Sequence, residues 1–154
     1  MPDSPSTLPR HVAVIMDGNS RWAGARALLS VNGHERGGKS VREIITACRE
    51  LGISVLTLFA FSTENWSRPS LEVRFLMSLL KRYLVEERDE LMENRIRLLA
   101  IGQLERLPDE VRLELDRTME LTAGNDKMTL VLALSYGGRW DIVQASRRIA
   151  LEVK

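Results

Sequence analysis

The chain has 154 residues, a length that suits one domain and allows a real core to be buried. With 22 basic against 21 acidic side chains its net charge is +1, which lacks the basic excess of a nucleic-acid binder, so no nucleic acid is expected as a partner. One cysteine, Cys48, excludes an internal disulfide and any multi-cysteine metal site, and no apolar run approaches the length of a membrane span.

Residues 1–9 carry three prolines among small polar side chains and read as a flexible leader. They have neither the hydrophobic stretch of a signal peptide nor the arginines of a transit peptide. A cytoplasmic chain is expected, with peripheral membrane contact open to it, or an organellar one if a targeting leader is missing from the sequence.

From residue 10 to residue 154 the pattern is that of one α/β domain. Four apolar, β-rich runs recur at 11–16, 53–61, 95–101 and 129–136. They are nearly continuous rather than alternating, as strands covered on both faces are. Between them lie helical patterns. Val41, Ile44, Ile45 and Cys48 share a helical face over 34–51, closed by Gly52. Val73, Leu76, Met77, Leu80 and Leu84 share another over 69–94, with Pro69 in the first turn. A third helix begins at Pro108-Asp109-Glu110, and a fourth, capped by Asp141, buries Ile142, Ala145, Ile149 and Val153. Strand alternating with helix predicts a parallel sheet flanked by helices. Four strands make that sheet thin, as if an edge were lacking.

Asp17 closes the first strand run and is followed by Gly18-Asn19-Ser20-Arg21-Trp22. Open α/β sheets bind ligands at such strand-to-helix junctions. Exposed amides there favour an anion, whereas Asp17 would repel one unless a divalent cation sat between them. The junction therefore reads as a metal-diphosphate site, although Gly and Asn after Asp are also ordinary turn and cap chemistry.

A second candidate, Ser62-Thr63-Glu64-Asn65-Trp66-Ser67-Arg68-Pro69, ends the second strand run at the same sheet edge. Ser62, Asn65 and Arg68 supply polar contacts there and Trp66 can cover an apolar ligand; the alternative is a capped helix start. Tyr136-Gly137-Gly138-Arg139 forms a third junction, where Arg139 adds to an anion-attracting field. His34, at the opening of a helix, can donate to a phosphate. The Leu/Met face over 69–94 is core by default, or one wall of an apolar tunnel suited to a charged head and a hydrocarbon tail. Gly33-His-Glu-Arg-Gly-Gly-Lys39-Ser40 also fits G-x-x-x-x-G-K-[ST], with 27–31 as a preceding strand, which would make it a nucleotide-binding P-loop.

Together these segments resemble the cis-prenyltransferases, the undecaprenyl diphosphate synthase and dehydrodolichyl diphosphate synthase group. The resemblance rests on HVAVIMDGNSRWA from His11, GHERG from Gly33, TLFAFSTENWSRP from Thr57, RIRLLAIG from Arg95, and LTAGN from Leu121 continuing to YGGRWDIV. It implies a homodimer of α/β subunits that joins isopentenyl diphosphate to an allylic diphosphate such as farnesyl diphosphate, with Mg2+, to give cis-polyprenyl diphosphates of the undecaprenyl or dolichol type.

The resemblance further implies roles for single residues. Asp17 is the catalytic, metal-associated acid. Gly18, Asn19, Ser20, Arg21 and Trp22 belong to the segment that cradles the allylic diphosphate, with His34 assisting. Asn65 holds the position assigned to a proton acceptor, while Ser62, Thr63, Glu64, Trp66 and Arg68 make further substrate contacts. Two departures stand out. Ser30 replaces an arginine usual in the family, a loss Arg26 is placed to compensate. The family also continues past YGGRWDIV with an R-T-S-G-E segment and later isopentenyl diphosphate and metal residues. The sequence is thus expected to be incomplete at its C-terminus and to retain mainly the allylic half-site. The alternatives are a non-catalytic subunit of a heteromeric cis-prenyltransferase and the P-loop protein using Gly33 to Ser40.

Overall fold

A computed structural model describes residues 8–153; most of the expected leader lies outside them. Four parallel strands, β1 (His11–Ile15), β2 (Val55–Ser62), β3 (Ile96–Ile101) and β4 (Met128–Tyr136), form one sheet in the order β1-β2-β4-β3. The helices are α1 (Asn19–Gly24), α2 (Ser30–Glu50), α3 (Ser70–Glu86), α4 (Arg88–Glu93), α5 (Asp109–Leu121) and α6 (Gly138–Glu152), and a 3-10 turn spans Thr63–Ser67. The expected parallel α/β architecture is present, with all four strand runs placed to within two residues.

One face of the sheet makes the core. Leu56 and Leu58 of β2, Ile96 and Leu98 of β3, and Leu130 and Leu134 of β4 meet Cys48 of α2, Met77 and Leu84 of α3, and Val111 and Leu115 of α5. Cys48 is a buried free thiol in this cluster, which burial pushes up from its ordinary pKa. At the sheet edge Thr122, just past α5, accepts the Leu98 amide with its hydroxyl at 3.0 Å, so a free strand edge is satisfied by a side chain.

The other face differs from the expectation of cover on both sides. Ala13, Ile15, Thr57, Phe59, Val131, Leu99 and Ile101 are exposed or half-buried, Ile15 at 75%. Their apolar character produces the continuous hydrophobic runs, yet no described helix lies over them. The stripe expected to bury α6 is likewise open, with Ile142, Ile149 and Val153 exposed.

Helix limits correct several expectations. Helix α2 begins at Ser30, so 27–31 is no strand and Gly33 to Ser40 lies within a helix. A P-loop needs its amides free to cradle phosphate; here those glycines serve close packing instead. A Cβ at Gly33 would fall 2.0 Å from the Asn19 carbonyl oxygen, and one at Gly38 1.9 Å from the Tyr83 hydroxyl. The helix expected over 69–94 divides at Glu87, the joint between α3 and α4, and Pro69 precedes α3 rather than opening it. Asp141 lies inside α6, where it accepts the Tyr136 hydroxyl at 2.9 Å, and does not cap it.

Candidate functional site

Parallel strands bring their carboxyl ends to one edge, and β1 and β2 are neighbours. The segment after β1 and the 3-10 turn after β2 therefore converge, as read from the sequence. Asp17 follows β1, and Gly18, with φ +91, turns the chain into α1. The Asp17 carboxylate accepts the Gly18 amide at 2.5 Å and pairs with Arg21 Nη2 at 2.7 Å, both side chains being well exposed. Trp22, on the same short helix, stacks beneath Arg26 at 4.4 Å. Arg26 also bonds the Trp22 carbonyl oxygen at 3.3 Å, so it rests on the helix that follows Asp17. Ser20 bonds Ser30 at 2.7 Å, and Ser30 reaches Glu72 at 3.3 Å.

Asn65 turns its side-chain oxygen back to accept the Ser62 amide at 3.0 Å. That bond assigns the amide's two ends. The oxygen is engaged, which leaves the NH2 as the donor end of the amide. Glu64 is held below the usual carboxylate range by its own backbone amide and the Ser62 and Thr63 hydroxyls, with Arg139 adding a smaller pull. Trp66 packs edge-on against Phe61 at 4.9 Å and donates to Ser135 Oγ at 2.9 Å. Ser135 itself sits at φ +47, an uncommon backbone for a non-glycine residue. The third junction closes on this turn, since a Cβ at Gly137 would fall 2.6 Å from the Thr63 hydroxyl.

Beneath this polar edge runs a cavity of about 210 Å3 between the sheet, α2 and α3. Asn19, His34, Asn65 and Arg68 line its polar end, while Leu58, Leu76, Leu80, Leu130 and Leu132 line its apolar length. The tunnel reading of the Leu/Met face thus matches a real space. Asp17, Gly18 and Trp22 line a separate depression beside it with Gly33, Arg36 and Gly37, and Asn19 lines both. Ser62, Thr63, Glu64 and Trp66 do not line the cavity; they shape the turn that presents Asn65 and Arg68.

His34 Nε2 is a buried side-chain nitrogen with no hydrogen-bond partner, facing the Glu72 carboxylate at 3.5 Å, too long for a good bond. Glu72 is instead bonded by Arg68 at 2.9 Å. Glu72 was missed in the sequence, where it is one more acid on a helix; only its one-turn spacing from Arg68 hinted at the pair. Arg36, which enters the depression beside Asp17, was missed as well.

Burial pushes His34 below the ordinary imidazole value of 6.5, and Arg68 adds to this, against the pull of Glu72. The ring is therefore neutral at pH 7, and negative charge beside it favours its protonated form. Affinity for a diphosphate is expected to climb as pH falls from about 7 towards about 5, because the bound anion favours imidazolium. Calorimetric titrations at stepped pH should show this climb and its loss in His34→Gln. Parallel profiles for the two proteins would remove His34 from the site.

Among the described residues no group of three His, Cys, Asp or Glu forms a metal cage. Asp17 offers a single exposed carboxylate, paired with Arg21 and the Gly18 amide. Such a donor suits Mg2+, which keeps several waters and joins one or two carboxylates to substrate phosphates. No described helix is long and apolar enough to cross a membrane.

The family profile described as "Putative undecaprenyl diphosphate synthase" matches residues 15–154. An isoprenyl transferase of Chlorobaculum tepidum is 52% identical over 98% of this chain and 57% of its own length. A farnesyl-diphosphate-specific ditrans,polycis-undecaprenyl-diphosphate synthase of Pseudomonas putida is 48% identical over 99% of this chain and 61% of its own. The chain thus spans about three fifths of the curated relatives it matches.

Among solved structures, lavandulyl diphosphate synthase of Lavandula x intermedia, in complex with dimethylallyl diphosphate, superposes with a TM-score of 0.91. It is 38% identical, with 94% of this chain and 62% of that one covered. A probable undecaprenyl diphosphate synthase of Campylobacter jejuni gives a TM-score of 0.79 at 39% identity, with 95% and 63% covered. By fold, by motif and by relatives, this chain belongs to the undecaprenyl diphosphate synthase family of cis-prenyltransferases.

Proposed function

We propose that this chain binds an allylic diphosphate such as farnesyl diphosphate, and that the whole protein condenses it with isopentenyl diphosphate as a homodimeric, Mg2+-dependent cis-prenyltransferase. The observation that carries this reading is the cavity itself: Asn19, His34, Asn65 and Arg68 gather at the sheet edge, and the lining between them and the polar far end at Arg42, Glu87 and Glu90 is mostly apolar. A site of that kind selects a ligand with a charged head and a hydrocarbon tail.

The head is served by three kinds of donor. Arg68 offers a planar guanidinium suited to oxyanions. The Asn65 NH2 donates, while its oxygen stays with the Ser62 amide; we therefore assign Asn65 to holding the diphosphate rather than to accepting a proton. His34 supplies the nitrogen that otherwise lacks a partner. Asp17, with Arg21 beside it, would hold Mg2+ against the diphosphate, where the ion would neutralise charge growing on the departing group. Gly18, Asn19, Ser20 and Trp22 shape the segment that carries these groups, and Ser62, Thr63, Glu64 and Trp66 shape the opposing turn. The product of such a reaction is an apolar chain, which supports peripheral contact with a membrane.

Titration of the chain with farnesyl diphosphate, with and without Mg2+, tests the reading. Each buried methylene contributes about 0.8 kcal/mol, so inorganic diphosphate is expected to bind at least ~100-fold more weakly than farnesyl diphosphate. Asp17→Ala should abolish the gain that Mg2+ brings while leaving metal-free binding in place. Equal affinity for the two ligands would mean that the cavity takes no tail, and the proposal would fail. Isopentenyl diphosphate incorporation in the same samples then reports whether the described residues suffice for condensation.

A further inference from the structure

The two helices that wall the cavity are joined across it by polar contacts on their solvent side. Towards the polar end His34 only faces Glu72, buried and unbonded; further along, Glu35 meets Arg82 at 3.5 Å and Arg42 binds Glu87 through Nε at 2.7 Å. Tyr83 fills the step between them, its hydroxyl against Gly38 and its ring 5.9 Å from the Arg42 guanidinium. This row of polar contacts contrasts with the sheet side of the cavity, where Leu58, Leu98, Leu130 and Leu132 present a closed apolar wall. The cavity is therefore bordered by hydrocarbon on the sheet side and by polar side chains between α2 and α3.

The last of these pairs stands where the tail of a bound ligand would arrive. From His34 to Ile45 along α2, and from Leu76 to Glu87 along α3, the lining covers about 16 Å at 1.5 Å per residue. Arg42, Glu87 and Glu90 line the cavity at its far end, with Leu91 of α4 behind them. Glu87 is also the joint between α3 and α4. Its bond to Arg42 therefore ties the α3–α4 corner to α2, and loosening it frees that corner to move outward. The Arg42 side chain is 48% exposed and that of Glu87 21%. A pair half open to water on its Arg42 side is weaker than a fully buried one and can part when a longer tail presses on it.

We propose that the Arg42–Glu87 pair is a length-determining latch. It closes the solvent-side seam at the far end of the cavity, so a tail that fits inside is retained and a longer one must either fold back or break the pair and emerge between α2 and α3. This inference rests on the prenyl diphosphate reading above and adds to it the residues that set the tail length taken without opening the seam. Nothing in the sequence alone singles the two out, since Arg42 and Glu87 stand on separate helices 45 residues apart.

The test is the affinity profile of the chain for geranyl, farnesyl, geranylgeranyl and longer prenyl diphosphates, compared among the unmodified chain, Glu87→Ala, and the charge-swapped pair Arg42→Glu with Glu87→Arg. Circular dichroism confirms that each is folded. The unmodified chain is expected to gain affinity with tail length up to a maximum and then lose it. Glu87→Ala should raise the ratio of long-tail to farnesyl affinity by about threefold or more, within the range that an exposed pair commands. The charge swap should restore the original ratio. The same ratio in all three proteins overturns the latch while leaving the prenyl diphosphate reading intact. No measurable binding of any tail by any folded protein overturns that reading, and the latch with it.

Discussion

Arg68→Ala is expected to weaken farnesyl diphosphate binding by about 10- to 100-fold, the range spanned by a charge-assisted hydrogen bond to an anion. The guanidinium has two tasks in the structure. It lines the polar end of the cavity, and it bonds Glu72 at 2.9 Å, so its removal takes a cation from the site and leaves an acid unneutralised beside the ligand. Both effects act against a diphosphate. A second readout separates this from general damage. Arg68 helps to hold His34 below the ordinary imidazole value, whereas Glu72 pulls it upward. In Arg68→Ala the imidazole, followed by NMR, should therefore titrate at higher pH than in the unmodified chain. Weakened binding with an unmoved His34 titration would mean that Arg68 acts on the ligand alone. Unchanged binding would take Arg68 out of the site.

Gly33→Ala is the second large effect, and it acts through packing. The new methyl carbon would lie 2.0 Å from the Asn19 carbonyl oxygen and 2.7 Å from its carbon, both backbone atoms that no rotamer change can clear. Helix α1 must move away from α2, at about 1–3 kcal/mol for an overpacked contact. For a chain of this size that lowers the melting temperature by roughly 2–12 °C. Because α1 carries Asn19, Ser20, Arg21 and Trp22 and is preceded by Asp17, diphosphate affinity should fall together with stability. Gly24→Ala is the control. A Cβ there meets nothing within 4 Å, and the position ends the same helix, so stability is expected to hold or rise slightly. Equal melting temperatures for Gly33→Ala and the unmodified chain would show that the close approach of the two helices is not needed.

These two residues also show the difference between what is written along the chain and what arises on folding. Arg68 is legible in the sequence because it belongs to a polar segment that ends a strand run, and parallel strands deliver such segments to one edge. Gly33 is misleading there. Together with Lys39 and Ser40 it spells a phosphate-binding loop, yet Gly33 and Gly38 lie inside α2 on different sides of it, one against the backbone of α1 and the other against Tyr83. Glycine is required for closeness in both situations, and only the neighbour, a phosphate or another helix, tells them apart.

The alternation of strand and helix, the parallel sheet and the gathering of Asp17, Asn65 and Arg68 at its edge were set by local pattern, because hydrophobic period and strand direction are properties of short segments. Four things were decided only in three dimensions. Glu72 became the partner of Arg68 facing His34, Asn65 turned its oxygen to the Ser62 amide, Arg26 settled on Trp22, and Arg42 met Glu87 across the cavity. Each depends on which acceptor lies within hydrogen-bond or stacking reach of a given side chain. Such interactions fall off over a few ångströms, and that distance is created when the helices come to rest on the sheet.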